Sequence, residues 1–88
     1  MFRSTRNGFQ ITFPNGATVS VQWNPGTYSD HYSCREAHHN PLNDKSSTAE
    51  VWAWWDDKEQ TPLWENPEAY QTPTEVAYLI NKVSTATR

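Results

Sequence analysis

His31, Cys34, His38 and His39 crowd into one stretch, with Asp30 and Arg35 among them, and these are the side chains best suited to hold a metal or attack a carbonyl. Structural zinc sites draw their ligands from two short-spaced sets. The pattern His-x-x-Cys-x-x-x-His-His supplies one set, and the chain has no other His or Cys to supply the second. Its histidines therefore read as solvated loop residues, and no metal is expected. Cys34 paired with His31 or His38 would need an orienting third group and an oxyanion hole, which a chain of 88 residues struggles to pre-organise. Asp56, Asp57, Glu59 and Glu65 cluster near a strand end, where carboxylates normally form a solvated surface that discourages aggregation. Gly8, Gly16 and Gly26 stand singly, so no glycine-rich loop cradles a phosphate. The expectation is a binder, not an enzyme, with no cofactor.

Recognition is the chemistry that remains. Tyr28, Tyr32, Arg35 and His38 lie in the same polar stretch, and Trp52 and Trp54 follow further on. Aromatic faces beside a guanidinium suit a nucleobase and its phosphate, since stacking alone contributes about 1–3 kcal/mol per base. The competing reading packs the loop tyrosines back on the sheet and pairs Arg35 with Glu36 or Asp30. A net charge of −3, with seven scattered Lys and Arg, argues against duplex nucleic acid, whose binding needs a basic stripe.

These residues need a scaffold, and 88 residues allow one domain with one core over 1–88. Phe9–Phe13 and Ala17–Trp23 alternate apolar and polar residues around Asn15-Gly16, which predicts a hairpin over 9–23 with turn positions that tolerate positive φ. Phe9, Ile11, Phe13, Val19, Val21 and Trp23 share its apolar face. The stretch 24–47 shows neither period and reads as a functional loop. Strands are expected over 47–65: one from Ser47 to Asp56, then a short edge strand from Thr61 to Trp64 carrying Pro62. In the first, Ala49, Val51, Ala53 and Trp55 share one face, while Glu50, Trp52, Trp54 and Asp56 share the other. An aliphatic core face would turn Trp52 and Trp54 outward as a stacking platform or an association surface; the opposite register would bury them. Thr72, Pro73 and Glu75 form a helix start with capping-box spacing, and Val76, Leu79, Ile80 and Val83 give an apolar stripe over a helix at 73–85. The predicted fold is α+β: a three- to four-stranded antiparallel β-sheet with one C-terminal helix packed on one face.

Cys34, as the single cysteine, excludes an intrachain disulfide and fits a reducing compartment. Met1–Gly8 holds no apolar stretch of signal-peptide length, and no run approaches the ~18 apolar residues of a membrane span. A cytoplasmic protein with no membrane partner is expected.

The run Thr12–Trp23, followed by Asn24-Pro25-Gly26-Thr27-Tyr28, resembles a hairpin motif of small tailed-bacteriophage proteins of unassigned function. The similarity returns at Ser47–Val51 and Thr72–Val76. In that pattern a cysteine often follows the loop tyrosine; Ser29 stands there instead, which argues against a metal or thiol role. The resemblance implies a phage origin, the cytoplasm of an infected bacterium, and no catalytic residues. The expected function is anti-defence: a homo-oligomer sequestering a host nucleotide immune signal, with Tyr28, Tyr32, Arg35, His38, Trp52 and Trp54 as the ligand-binding set. The alternatives are an inhibitor that occludes a host defence protein, or a minor virion component.

Overall fold

The computed structural model describes residues 1–5, 7–23 and 46–88. Strand β1 spans Phe2–Thr5, β2 Gly8–Thr12, β3 Ala17–Gln22, β4 Ala49–Trp55 and β5 Glu68–Gln71, and helix α1 spans Pro73–Ser84. The strands form one antiparallel sheet in the order β1-β2-β3-β4-β5. Helix α1 packs on β3, β4 and β5. The α+β class stands, with five strands among the described residues instead of three or four.

Alternation built the centre of the sheet. Ile11 pairs with Val19 and Phe9 with Val21, while Val19 pairs with Ala53 and Val21 with Val51. Ala17, Val19, Val21, Ala49, Val51 and Ala53 join Leu79 and Val83 of α1 in the buried core. Val19, Val51 and Val83 are fully buried, so the tightest packing is aliphatic and β-branched. All five tryptophans are only half-buried. Trp23, Trp55 and Trp64 cover core on one side while keeping another edge in water.

The β2–β3 connection differs from the expected turn. Phe13 N–H donates to the Ala17 carbonyl at 2.8 Å and Gly16 N–H to the Phe13 carbonyl at 2.9 Å, closing a three-residue loop. Positive φ falls on Gly16, at 89°, and not on Asn15. Pro14 precedes Asn15 with φ locked near −65°, so the left-handed residue is displaced to the last loop position.

The expected edge strand at Thr61–Trp64 is a single bridge between Pro62 and Trp54. Trp55 N–H donates to the Thr61 carbonyl and Leu63 N–H to the Ala53 carbonyl on either side of it. Proline has no N–H to extend the ladder, so pairing lapses and resumes at β5. There the register shifts, Ala49 facing Gln71 but Val51 facing Glu68, and Tyr70 takes φ 53° within the bulge.

Candidate binding face

Trp52 and Trp54 occupy the β4 face away from α1. Ala49, Val51 and Ala53 are buried toward the core, and the period-2 pleat turns Glu50, Trp52 and Trp54 to the other side. Register sets Trp52 opposite Ser20 and Trp54 opposite Thr18. Both hydroxyl residues are buried, Thr18 at 4% and Ser20 at 8% exposure, because the indoles roof them. Beneath the roof, the Thr18 and Thr12 hydroxyls share a hydrogen bond of 2.8 Å, and Gln22 Nε2 donates to Ser20 Oγ at 3.1 Å. These bonds satisfy the polar groups that the tryptophans take out of water.

The two indoles meet edge to face, with centroids 6.4 Å apart and planes at 71°. Trp52 Nε1 donates to the Trp64 carbonyl at 2.9 Å, which fixes its ring. Beside Trp54 lies a cavity of about 180 Å³ whose walls include Arg3, Gln10, Thr12, Asp56 and Gln60. An aromatic wall, a guanidinium, a carboxylate and two side-chain amides offer stacking together with directional polar contacts. Arg3 reaches this face because it pairs with Gln10 on the outer side of β2.

A larger groove of about 590 Å³ opens between α1 and one end of the sheet, lined by Phe9, Trp23, Ala49, Val76 and Ile80 among others. No charged side chain lines it among the described residues. Its described polar lining is Ser46, Ser47, Thr48 and Gln71, so it suits a mainly apolar occupant. Elsewhere, the buried Trp64 Nε1 has no hydrogen-bond partner among the described residues.

Among the described residues two carboxyls carry shifted acidity. Asp57 is held below its ordinary value, first by the Thr61 N–H and then by the Arg88 guanidinium and the Thr61 hydroxyl. Arg88 also lies over the Trp55 ring, 5.5 Å from its centroid. Glu75 is lowered by the Thr72 N–H at the start of α1. Both groups bind their own backbone or the C-terminal arm, which is structural work.

Of the residues expected to bind ligand, Trp52 and Trp54 sit side by side on the outer face. Tyr28, Tyr32, Arg35 and His38 lie outside the described residues, as do the candidate metal ligands His31, Cys34 and His39. Among the described residues no group of three or more His, Cys, Asp or Glu could hold a metal ion. None of their helices is long and apolar enough to cross a membrane. Sequence reasoning missed Arg3, since β1 was not expected. A signal was present: Asn7, followed by Gly8 at the start of β2, marks a turn between two extended runs. The chain matches no protein-family model, no curated protein and no solved structure.

Proposed function

We propose that this domain is a non-catalytic binder of a small nucleotide-type ligand, which it sequesters on the Trp52–Trp54 face. The observation that carries this reading is the cavity beside Trp54, whose lining brings together an indole and Arg3. A base stacks on Trp54, Arg3 meets phosphate, and Gln10, Gln60 and Asp56 offer hydrogen bonds to the base edge or the sugar. Under the phage resemblance of the hairpin, the ligand is a host immune signal in the bacterial cytoplasm, and holding it is the whole activity.

A cavity of about 180 Å³ accommodates a base and leaves the rest of a nucleotide over the surface. A second copy of the chain would cover that remainder, which favours a homo-oligomer. Among the described residues β1 is an edge strand of the sheet, and that edge offers a route. Met1 exchanges both backbone bonds with Thr12, at 2.8 Å each. By antiparallel alternation, Phe2 and Ser4 then turn their N–H and C=O groups away from β2, toward a further strand.

Calorimetric titration with cyclic dinucleotides and ADP-ribose derivatives tests the reading. A Kd below about 1 μM is expected, worth roughly 8 kcal/mol. Trp54→Ser should weaken that binding by about tenfold or more while the domain stays folded. Absence of any micromolar ligand removes the nucleotide reading. Recovery of one stoichiometric host protein on the immobilised domain, lost in Trp52→Ser and Trp54→Ser, would replace it with occlusion of a partner through a tryptophan hot spot.

A further inference from the structure

Asn15 has a second task that its place in the turn does not require. Its Nδ2 reaches across to the C-terminal end of α1, 2.9 Å from the Val83 carbonyl, 3.0 Å from that of Ala86 and 3.4 Å from that of Ser84. Its Oδ1 accepts the Ala17 N–H at 3.0 Å. The carboxamide thus clasps the helix end, where carbonyls lack intrahelical partners, to the hairpin.

The residue after it is Gly16, and an asparagine followed by glycine is chemically vulnerable because no side chain shields the next backbone nitrogen. We propose that Asn15–Gly16 is a fold-protected deamidation site: docked α1 preserves the Asn15 carboxamide, and release of α1 exposes it to a conversion that prevents normal re-docking. In the conversion, the Gly16 amide gives its proton to hydroxide and its nitrogen attacks Asn15 Cγ. The new N–Cγ bond closes a succinimide, the Cγ–Nδ2 bond breaks, and Nδ2 leaves as ammonia with a proton from water. Water then opens either carbonyl of the ring, leaving aspartate or isoaspartate at position 15. Water is the only co-reactant.

The folded geometry opposes the first step at both reacting atoms. Gly16 N–H is directed at the Phe13 carbonyl at 2.9 Å, and Cγ is held between Ala17 and the helix end. Pro14, Asn15 and Gly16 are exposed, so protection comes from these bonds and not from exclusion of water. After conversion, a carboxylate without N–H donors would face three carbonyls and the negative end of the helix dipole. The step is therefore one-way for the fold as well as for the chemistry.

Asn7–Gly8 supplies an internal reference, being the same dipeptide at the β1–β2 connection, whereas α1 packs on β3, β4 and β5. The test incubates the full chain at mildly alkaline pH, folded and in urea, and follows both sites by peptide mass spectrometry. Asn15 should convert at least about tenfold more slowly in the folded protein than in urea, as expected for a group modified only in an open state. Val83→Ala, which loosens α1, should speed conversion of Asn15 in the folded protein while leaving the Asn7 rate unchanged. The converted chain, isolated by its added negative charge, should melt at a lower temperature. Equal Asn15 rates in folded protein and urea would overturn the proposal, as would equal acceleration of both sites by Val83→Ala. Should that variant not fold, the folded-to-urea ratio decides alone.

Discussion

Thr72 and Glu75 satisfy each other's backbone at the start of α1. Glu75 Oε1 accepts the Thr72 N–H at 2.9 Å, and Thr72 Oγ1 accepts the Glu75 N–H at 3.4 Å. Thr72→Ala should cost about 1 kcal/mol, read from the denaturant midpoint. The Glu75 carboxyl is lowered in the folded state, so the folded chain binds that proton less readily than the unfolded chain. Its contribution is present above the unfolded value, near pH 4, and is lost as pH falls through the folded value. Asp57 is lowered as well and acts in the same direction. Melting temperature should therefore decline on the acid side, and Glu75→Gln should flatten that decline while leaving a residue due to Asp57. An unchanged acid limb in Glu75→Gln would show that the capping carboxylate does not contribute. The capping box was legible because its partners lie three residues apart. The ion pair of Asp57 with Arg88 was not, because only the folded chain brings them together.

The hairpin and the helix were readable for the same local reason: two runs of period 2 around a turn, and one stripe of period 3.6. The strands that escaped were short and polar. Phe2–Thr5 carries one apolar residue, and Glu68–Gln71 is bulged, so neither presents an alternation to count. Gly8, the first residue of β2, shows what close pairing with β3 demands of the chain. A Cβ there would stand 2.3 Å from the Val21 carbonyl oxygen and 2.5 Å from Gln22 Oε1. The backbone atom cannot yield without moving β3, so Gly8→Ala should cost about 1–3 kcal/mol. Gly16 is the contrasting case. Nothing lies within 4 Å of a Cβ there, but its φ of 89° penalises one. Gly16→Asn should therefore be milder than Gly16→Ala, because asparagine tolerates the left-handed region. Gly8→Asn should be no milder than Gly8→Ala. Denaturation midpoints of the four variants separate collision from backbone strain.

The same alternation that put Val51 and Ala53 in the core put Trp52 and Trp54 outside, so half of the candidate site followed from one strand's pattern. The cavity beside Trp54 did not, because it needs Arg3 from the opposite end of the sheet, three strands away. Coverage of the sheet is also uneven. Helix α1 lies on β3, β4 and β5, whereas Phe9, Ile11 and Phe13 are half-buried against the core. Phe2, opposite Ile11 on β1, is 83% exposed. An apolar side chain on an unpaired edge favours pairing with another strand, and a charge there opposes it. Phe2→Lys should leave the unfolding free energy within about 0.5 kcal/mol, since the ring contributes little to the core. If copies associate through β1, the same variant should lower the sedimentation-average mass at a given concentration and weaken ligand binding with it. Assembly that survives Phe2→Lys unchanged would place the contact elsewhere, on the tryptophan face or the apolar groove. Binding that survives while assembly is lost would show that one copy holds the ligand alone.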